Sequence, residues 1–318
     1  MANEEVEMRI AIFGAGSVGG YFGGRLVQAG EDVFFIARNE HLKAMQANGL
    51  WIDSIKGDFR IKPVQATDDP NQIGEVEMVL IGVKAWQLAE IAPILQPLIG
   101  EETGVIFLGN GVDAPSQLIP VLGGEHVLGG LCRISAFLIG PGHIRHAGVE
   151  PYIAMGELDG QRSTRVERLR QAFERAGVNA IVPDDIWAAM WEKFIFIASI
   201  SGVGAITRAP TGTLRKIPET RQMLEGAIEE MVKLARVRGI QLPSDVATRT
   251  MAFIDGMAPA VIASMQRDIM EGRPSELEAQ NGAVVRMGKE TGVETPIHAF
   301  IYSSLLPQEM KARGKYPF

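Results

Sequence analysis

Three glycines near the start of the chain have the spacing of a loop that binds a dinucleotide. They belong to the run Gly14, Ala15, Gly16, Ser17, Val18 and Gly19, which follows an apolar stretch at 9–13 and precedes a stretch with helical periodicity. In a strand–loop–helix unit, the first glycine allows a tight turn and the second lets the backbone approach a pyrophosphate. The third lets the helix pack on the strand, so that the N–H groups at its start face the phosphates. Because a strand and a helix flank the motif, it indicates a dinucleotide site rather than a ligand-free glycine turn.

The position after the second predicted strand distinguishes between two dinucleotides. A site for NAD has a carboxylate there, which accepts a hydrogen bond from the ribose 2′-hydroxyl. Here Glu31 and Asp32 precede the strand at 33–37, and Arg38 follows it. A guanidinium group suits a 2′-phosphate. The sequence therefore predicts NADP(H), and a surface arginine is the alternative explanation of Arg38.

Polar residues also follow two later segments that are predicted to be buried parallel strands. Lys84 follows the stretch 77–83, and Asn110 comes shortly after the stretch 103–108. A weaker strand at 127–131 leads to a third such end, which includes Ser135 and Ala136. In open α/β sheets, ligands bind at the carboxyl ends of the strands, near the switch in strand order. These positions are therefore candidates for the same site.

One lysine lies in a segment that is apolar on almost every side. The segment 187–200 is predicted to form a buried helix, and Glu192 and Lys193 are its only charged residues. Such a lysine either extends to the edge of the buried region or points into a cleft and serves a reaction. In a cleft, partial burial would lower its pKa towards the working range of a general acid. Ile197 and Ser201 follow at i+4 and i+8 and are predicted to share its face.

Ser275 and Glu278 have the spacing of a capping box, with Ser275 as the N-cap and Glu278 at the third helical position. Glu276 would then lie at the first helical position, where the helix dipole favours a carboxylate even without a catalytic role. Because Glu278 would complete the cap, Glu276 remains available for binding or catalysis.

The bulk composition is typical of a globular protein with two domains of ordinary size. The 318 residues are 46% hydrophobic and 22% charged, with a formal net charge of −7. The negative charge argues against a nucleic-acid or anionic-membrane partner. No apolar run is predicted to cross a bilayer without interruption by charge, Gly or Pro. A cytoplasmic location is the simplest expectation.

Metal binding and disulfide formation are not predicted. Cys132 is the only cysteine, so neither an internal disulfide nor a cysteine metal cluster is available, and a core position is expected for it. His143 and His146 follow a Pro-Gly turn and lack neighbours of metal-ligand type, so they are interpreted as surface or hairpin residues. The predicted partner is a small molecule.

The order of the predicted elements divides the chain into two parts. After a disordered lead-in at 1–8, strands and helices alternate as far as a last strand near 180–183, a pattern typical of a parallel sheet covered by helices. From 185 onward nearly all of the chain has helical periodicity. We therefore predict an α/β fold, with a Rossmann-type NADP(H)-binding domain over 1–183 and an all-helical domain over 184–318. The long helices of the second domain are compatible with a homodimer.

Six short motifs are arranged in a recognisable order along almost the whole chain. They are G-A-G-S-V-G at 14–19, V-K-A-W-Q at 83–87, N-G at 110–111, W-E-K-F at 191–194, S-M-Q-R-D at 264–268, and the stretch 276–282. Their order and spacing resemble the ketopantoate reductase (2-dehydropantoate 2-reductase) family. The resemblance implies NADPH-dependent reduction of the C2 ketone of ketopantoate to pantoate, on the route to pantothenate and coenzyme A. It also implies a site in the cleft between the two domains.

The resemblance implies a role for each matching residue. Lys193 looks like the proton donor to the forming alkoxide, and Glu276 looks like the acid that holds the substrate hydroxyls or orients the site. Ser264 looks like a substrate contact, and Asn110 looks like a contact of both the substrate and the nicotinamide. The cofactor contacts that it implies beyond the glycine loop are Lys84, Asn110, Ala136 and Glu276. The implied chemistry is physically consistent, because an ammonium group can stabilise and protonate the oxygen that becomes negative on hydride transfer.

Two positions depart from the pattern of this family. The family usually has asparagines one and two helical turns after the lysine, and these hydrogen-bond the substrate. Here the positions hold Ile197, which cannot form a side-chain hydrogen bond, and Ser201. Such a loss can change substrate discrimination strongly. Ketopantoate is the favoured substrate. The alternatives are a related reductase of a different, more apolar 2-oxo acid, and a non-catalytic NADPH-binding redox sensor.

Overall fold

The computed structural model describes residues 7–315 and divides them into two compact units. The first unit comprises the described residues as far as Gly109 together with Ala114–Ile186, and the second comprises Asn110–Asp113 together with the described residues from Trp187 onward. The sequence predicted one boundary, between 183 and 184. That prediction assigned Asn110–Asp113 to the first unit, whereas these residues belong to the second. Most of the lead-in predicted at 1–8 lies outside the described residues. Its last residue, Met8, is ordered and buried, and its N–H donates to Glu31.

In the described residues, the first unit alternates strands with five α-helices, as its apolar periodicity predicted. The helices are α1 (Ser17–Gln28), α2 (Asn39–Asn48), α3 (Leu88–Ile91), α4 (Ala114–Leu122) and α5 (Thr164–Arg175). The strands are β1 (Arg9–Phe13), β2 (Asp32–Ile36), β3 (Leu50–Ser54), β4 (Phe59–Ile61), β5 (Gln65–Thr67), β6 (Val76–Ile81), β7 (Ile99–Phe107), β8 (Val127–Arg133), β9 (Ala136–Gly140), β10 (His143–His146), β11 (Tyr152–Glu157) and β12 (Asn179–Ile181).

The main sheet confirms the predicted α/β, Rossmann-type fold. Its strand order is β12-β11-β8-β7-β6-β1-β2-β5, and neighbouring strands are parallel except for β8 and β11. The chain starts at β1 and adds β2 on one side and β6 on the other. The strand order therefore switches beside β1, and ligands bind at such switch points in α/β sheets.

A second, four-stranded sheet was not predicted. Its order is β4-β3-β10-β9, and the parallel pairing of β3 with β10 joins two hairpins. The glycines of α1 allow the helix to pack closely on both sheets. A Cβ at Gly23 would lie 2.7 Å from Ile12 of β1, and a Cβ at Gly24 would lie 2.6 Å from Ile52 of β3. The predicted close packing of this helix on a sheet is thus confirmed, and it extends to a second sheet.

The cysteine and the two histidines of the first unit have structural surroundings. Cys132 is buried and its Sγ donates to the carbonyl of Leu108, which confirms the predicted core position. His143 and His146 lie on the hairpin strand β10, as predicted, although His146 is buried and bonds to Ser54. Within residues 7–315, no group of three His, Cys, Asp or Glu side chains could hold a metal ion.

The described part of the second unit is helical, as predicted. Its helices are α6 (Ile186–Thr207), α7 (Thr211–Leu214), α8 (Pro218–Val237), α9 (Val246–Gly256), α10 (Ser264–Met270), α11 (Ala283–Thr291) and α12 (Pro296–Ala312), and a π-helical turn at Glu278–Gly282 leads into α11. Pro218 opens α8, and left-handed glycines follow α8 and α10 at Gly239 and Gly272.

Helix α6 is the central apolar element of this unit. By length and composition alone it could span a membrane, which the sequence interpretation did not anticipate, but 67% of its apolar window is buried inside the protein. Such burial is typical of the core helix of a globular domain. The buried helix predicted around Lys193 is therefore present.

Candidate active site

Each of the three motif glycines in the loop between β1 and α1 has a different role. Gly14 has a φ of +94°, and its N–H donates to the carbonyl of Ile36 at the end of β2 (3.0 Å). A Cβ at Gly19 would lie 2.2 Å from the carbonyl oxygen of Gly14, so the helix can approach the strand only with glycine here. A Cβ at Gly16 would meet no heavy atom of the described residues within 4 Å. The first and third glycines thus serve the turn and the packing, and the second faces open space.

The start of α1 has the features that a pyrophosphate requires. Gly16 is the N-cap residue, and within the described part of the chain no side chain caps the helix. The first-turn N–H groups, which begin at Ser17, have no partner within the helix and carry the positive end of its dipole. An open glycine face beside these donors fits the phosphates of a dinucleotide. The same loop includes Ala15 and Val18.

The other predicted cofactor residues of the first unit follow strands of the main sheet. Arg38 is exposed, lies two residues after β2 and is the N-cap of α2. Lys84 lies three residues after β6, and its backbone N–H donates to Gln87. Because β2 and β6 flank β1 in parallel register, both residues lie at the edge that carries the glycine loop. Ala136 follows β8 but begins β9 in the second sheet.

In the second unit, two predicted residues that are 166 positions apart are joined directly. The Asn110 Nδ2 donates to the Glu276 Oε2 at 3.0 Å. Glu276 is buried, with 3% of its surface exposed, and Asn110 is half-buried. The fold therefore brings together the N-G motif and the start of the 276–282 motif within one unit.

The residue before Glu276 is anchored by a buried carboxylate. The backbone N–H and the Oγ of Ser275 both donate to the buried carboxylate of Glu309, with distances of 3.1 and 2.6 Å to Oε2. Arg313 donates to the carbonyl of Ser275 at 2.8 Å and to Glu309 at 2.6 Å. Sequence reasoning missed Glu309 and Arg313. Their i, i+4 spacing was the only local signal, and it is common on surface helices.

The capping box predicted at 275–278 is wrong. The Ser275 Oγ accepts from the N–H of Leu277 rather than from that of Glu278, and the Glu278 carboxylate binds Tyr302 and Arg286. The helix also begins with a π-turn, in which the N–H of Gly282 donates to the carbonyl of Leu277. Glu276 therefore does not occupy the first position of an α-helix. Tertiary hydrogen bonds have replaced the local cap.

The face of α6 that carries Lys193 is not uniform. Lys193 and Ile197 are half-buried, whereas Ser201 is fully buried and its Oγ has no hydrogen-bond partner in the described structure. Ser201 thus lies deeper than a residue that lines an accessible surface beside Lys193. Ser264, the first residue of α10, is half-buried.

Helix α10 packs on the second half of α6. The side chain of Gln266 donates to the carbonyl of Ala209 at 2.9 Å. A Cβ at Gly204 of α6 would lie 2.4 Å from the Oε1 of Gln266. This contact places the helix that begins at Ser264 beside the end of α6 that carries Ser201.

Sequence reasoning did not identify several other buried polar residues in this unit. Asn281 donates to the carbonyl of Ala198 at 3.3 Å and to the Nδ1 of His298 at 2.9 Å. The His298 Nε2 donates to the carbonyl of Ala227, and burial lowers the pKa of His298 to about 4, so the ring is neutral. Gln280 is also fully buried, one turn after Glu276, and its amide has no hydrogen-bond partner among residues 7–315. Polar residues on a buried π-turn often mark functional sites.

Family models match both parts of the chain. The model described as "Ketopantoate reductase PanE/ApbA" matches residues 10–160, and the model for the C terminal part of the same family matches residues 185–309. The chain is 30% identical over 300 residues to the uncharacterized oxidoreductase YkpB of Bacillus subtilis (strain 168), over 94% of this chain and 98% of the relative. It is 28% identical over 304 residues to a 2-dehydropantoate 2-reductase of Nostoc sp., over 94% of each chain.

Solved structures have the same fold. A PanE/ApbA family ketopantoate reductase from Ralstonia eutropha JMP134 is 30% identical, with a TM-score of 0.88 over 96% of this chain and 100% of that chain. The ternary structure of D-mandelate dehydrogenase with NADH and anilino(oxo)acetate is 25% identical, with a TM-score of 0.88 over 96% of this chain and 99% of that chain. The resemblance inferred from the motifs is thus confirmed. The chain is an oxidoreductase that belongs to the ketopantoate reductase family, whose members use NAD(P)H.

Proposed function

We propose that this protein reduces ketopantoate to pantoate with NADPH as the hydride donor, in the cytoplasm. The observation that carries the proposal is the hydrogen bond between Asn110 and the buried carboxylate of Glu276 (3.0 Å). The family resemblance implies that Asn110 contacts the substrate and that Glu276 holds the substrate hydroxyls or orients the site, and this hydrogen bond joins the two residues. The Nostoc relative, a 2-dehydropantoate 2-reductase, supports the substrate.

In this proposal, the residues of the first unit bind the dinucleotide. The start of α1 and the open face of Gly16 hold the pyrophosphate. The exposed guanidinium of Arg38, which follows β2, binds the 2′-phosphate and favours NADPH over NADH. By the family resemblance, Lys84 would lie near the cofactor and Ala136 beside its nicotinamide. When bound, the cofactor would supply the hydride that C2 of the ketone accepts.

The residues of the second unit bind the 2-oxo acid and complete the reaction. The ammonium group of Lys193 stabilises the negative charge on the ketone oxygen and donates the proton that converts the alkoxide into a hydroxyl. Glu276, held by Asn110, accepts a hydrogen bond from a substrate hydroxyl. Ser264 contacts the carboxylate or a hydroxyl of the substrate.

A different 2-oxo acid is the second candidate substrate. Ile197 is apolar and half-buried, and the Ser201 Oγ is buried, so neither reproduces the asparagine contacts of the family. The similarity to D-mandelate dehydrogenase is in accord with a substrate that has a larger apolar group. A third candidate is a redox sensor that binds NADPH without turnover.

A substrate panel with NADPH and NADH separates these candidates. We expect kcat/KM for ketopantoate to exceed that for pyruvate, 2-oxoisovalerate and benzoylformate by at least about tenfold. A higher value for one of the others would assign that substrate class instead, and NADPH binding without any turnover would favour the sensor.

The variant Ile197→Asn tests the reason for the choice at the half-buried position, because Ser201 is fully buried and has no room for a larger side chain. If Ile197 sets specificity, this variant shifts kcat/KM towards ketopantoate and away from the apolar acids. Val237→Asn, which introduces the same polar side chain at an exposed apolar position at the end of α8, serves as the matched control in the same unit.

A further inference from the structure

The segment Asn110–Asp113 is attached to the helical unit at both of its ends. Asn110 donates to Glu276 at 3.0 Å, and Asp113 accepts from the guanidinium of Arg286 at 2.8 Å. Between them, Gly111 has a φ of +114°, and a Cβ there would lie 3.2 Å from the carbonyl oxygen of Ala279. The segment thus contacts the stretch that contains Glu276 and the π-turn along its length, and the positive φ of Gly111 favours glycine at the closest approach.

Arg286 is itself held in place by a second carboxylate. One of its nitrogens donates to Asp113 and the other donates to the Glu278 Oε1 at 2.6 Å. The Glu278 Oε2 accepts from the hydroxyl of Tyr302 at 2.7 Å. Burial, together with this hydrogen bond to Glu278, raises the pKa of Tyr302 to about 12, so the phenol remains a donor at neutral pH.

The ion pairs of Arg286 are better suited to orient its two carboxylate partners than to stabilise the folded protein. The side chain of Arg286 is 45% exposed, and that of Asp113 is 22% exposed. Ion pairs at such exposure contribute little to the free energy of unfolding. A planar guanidinium between two carboxylates nevertheless fixes the direction of both, because each hydrogen bond restricts its geometry. The segment that carries Asn110 is only four residues long, so fixing Asp113 restricts where Asn110 can lie.

We propose that Arg286 is a positioning residue, which acts through Asp113 to keep the amide of Asn110 on the carboxylate of Glu276. Tyr302 and Glu278 orient Arg286 for this role. The inference rests on the proposed function, in which Asn110 and Glu276 bind the 2-oxo acid. It adds a residue outside the six motifs to the apparatus of that site.

The central test is Arg286→Met, which keeps the aliphatic volume and removes both ion pairs. We expect KM for the preferred 2-oxo acid to rise roughly 10-fold and kcat/KM to fall roughly 10- to 100-fold, because a small misplacement of a binding group has effects of this size. Arg286→Lys should recover part of the loss, since lysine can reach one carboxylate at a time. Arg238→Met is the matched control, because Arg238 pairs with Glu290 in the same unit and is 36% exposed.

A double-mutant cycle with Asn110→Ala separates positioning from a general structural effect. If Arg286 acts through Asn110, then Arg286→Met has little further effect on KM in the Asn110→Ala background. An equal loss in both backgrounds, or an equal effect of Arg238→Met, would overturn the proposal.

Hydrogen exchange of the peptide that contains Asn110–Asp113 tests the attachment independently of catalysis. We expect this peptide to exchange faster in Arg286→Met than in the wild type or in Arg238→Met, and unchanged exchange would overturn the proposal. If the wild type turns over none of the 2-oxo acids, the proposed function fails and the catalytic purpose of Arg286 fails with it. The exchange rates would then still show whether Arg286 attaches the segment.

Discussion

The glycine loop of the first unit and the Asn110–Glu276 pair of the second unit are fixed by different kinds of interaction. The loop depends on backbone geometry, namely the positive φ of Gly14 and the close approach of Gly19. The second site depends on side-chain hydrogen bonds between distant residues, with separations of 166 positions for Asn110 and Glu276 and 34 for Ser275 and Glu309. A local motif can therefore identify the first site, whereas the second exists only after the chain has folded.

The largest expected effect separates chemistry from binding in the second unit. Lys193→Met should lower kcat about 10³-fold, because a positioned general acid contributes on this scale. The Kd of NADPH, measured by fluorescence titration, should stay within about twofold if the first unit binds the cofactor as proposed. Glu192→Gln is the control on the neighbouring position, where the carboxylate faces Arg249. A kcat of Lys193→Met close to that of the wild type would rule out the assigned proton donor.

Two alanine substitutions divide the glycine loop into a structural and a binding part. Gly19→Ala should lower the free energy of unfolding by roughly 3 kcal/mol, because its Cβ would overlap the carbonyl of Gly14. Gly16→Ala should lower the free energy of unfolding by at most about 1 kcal/mol, since alanine is a poorer N-cap than glycine. It should weaken NADPH binding about tenfold, because the methyl group enters the open space beside α1. Urea unfolding and titration with NADPH measure the two effects. Equal stability of the two variants would contradict the assigned roles.

Buried His298 makes the stability of the second unit depend on pH. Its pKa of about 4 lies below the ordinary value of 6.5, so the unfolded chain binds a proton first as the pH falls. The stability that neutral His298 provides is complete above pH 6.5 and is lost progressively down to about pH 4, by roughly 3 kcal/mol in total.

Comparison with a variant isolates this contribution. The difference in unfolding free energy between the wild type and His298→Gln should decrease by roughly 3 kcal/mol between pH 7 and pH 4. Burial raises the pKa of nearby Glu230, and this contribution of opposite sign is shared by both proteins. A difference that stays constant with pH would show that His298 does not remain neutral in the folded state.

Arg38→Ala tests whether the local signal after β2 also sets cofactor choice. The preference for NADPH over NADH, as a ratio of Kd values, should fall roughly 10- to 100-fold, as expected for the loss of a charged hydrogen bond. Lys43→Ala removes another exposed cation from α2 and should leave the ratio unchanged. If Arg38→Ala weakened the binding of NADPH and NADH equally, Arg38 would no longer support the choice of NADPH.

The smallest expected effect concerns the buried amide of Gln280. Gln280→Met should raise the free energy of unfolding by about 1 kcal/mol, because it removes a buried polar group that has no partner among the described residues. Gln266→Met should lower it by about 1 kcal/mol, since that buried amide donates to the carbonyl of Ala209. The two glutamines are matched in burial, so opposite signs in chemical denaturation would support the assignment. A loss of stability in both variants would show that Gln280 also has a partner.

The errors of sequence reasoning have a common cause. The capping box at 275–278 obeys the local rule, yet Ser275 binds Glu309 and Glu278 binds Tyr302 and Arg286 instead. The second sheet was missed because its parallel β3–β10 pairing joins residues about ninety positions apart. Ser201 has the predicted spacing from Lys193 but is fully buried, because periodicity gives the face of a helix and not the depth of what covers it.

The sequence by itself determined the α/β fold, the glycine loop, the buried helix around Lys193 and the family, because these depend on short-range periodicity and on motifs of fixed spacing. The tertiary structure decided that Asn110 lies with the helical unit, that its amide binds Glu276, and that Arg286 fixes the far end of the same segment. These contacts depend on which side chains become neighbours when the helices pack, and no local pattern contains that information.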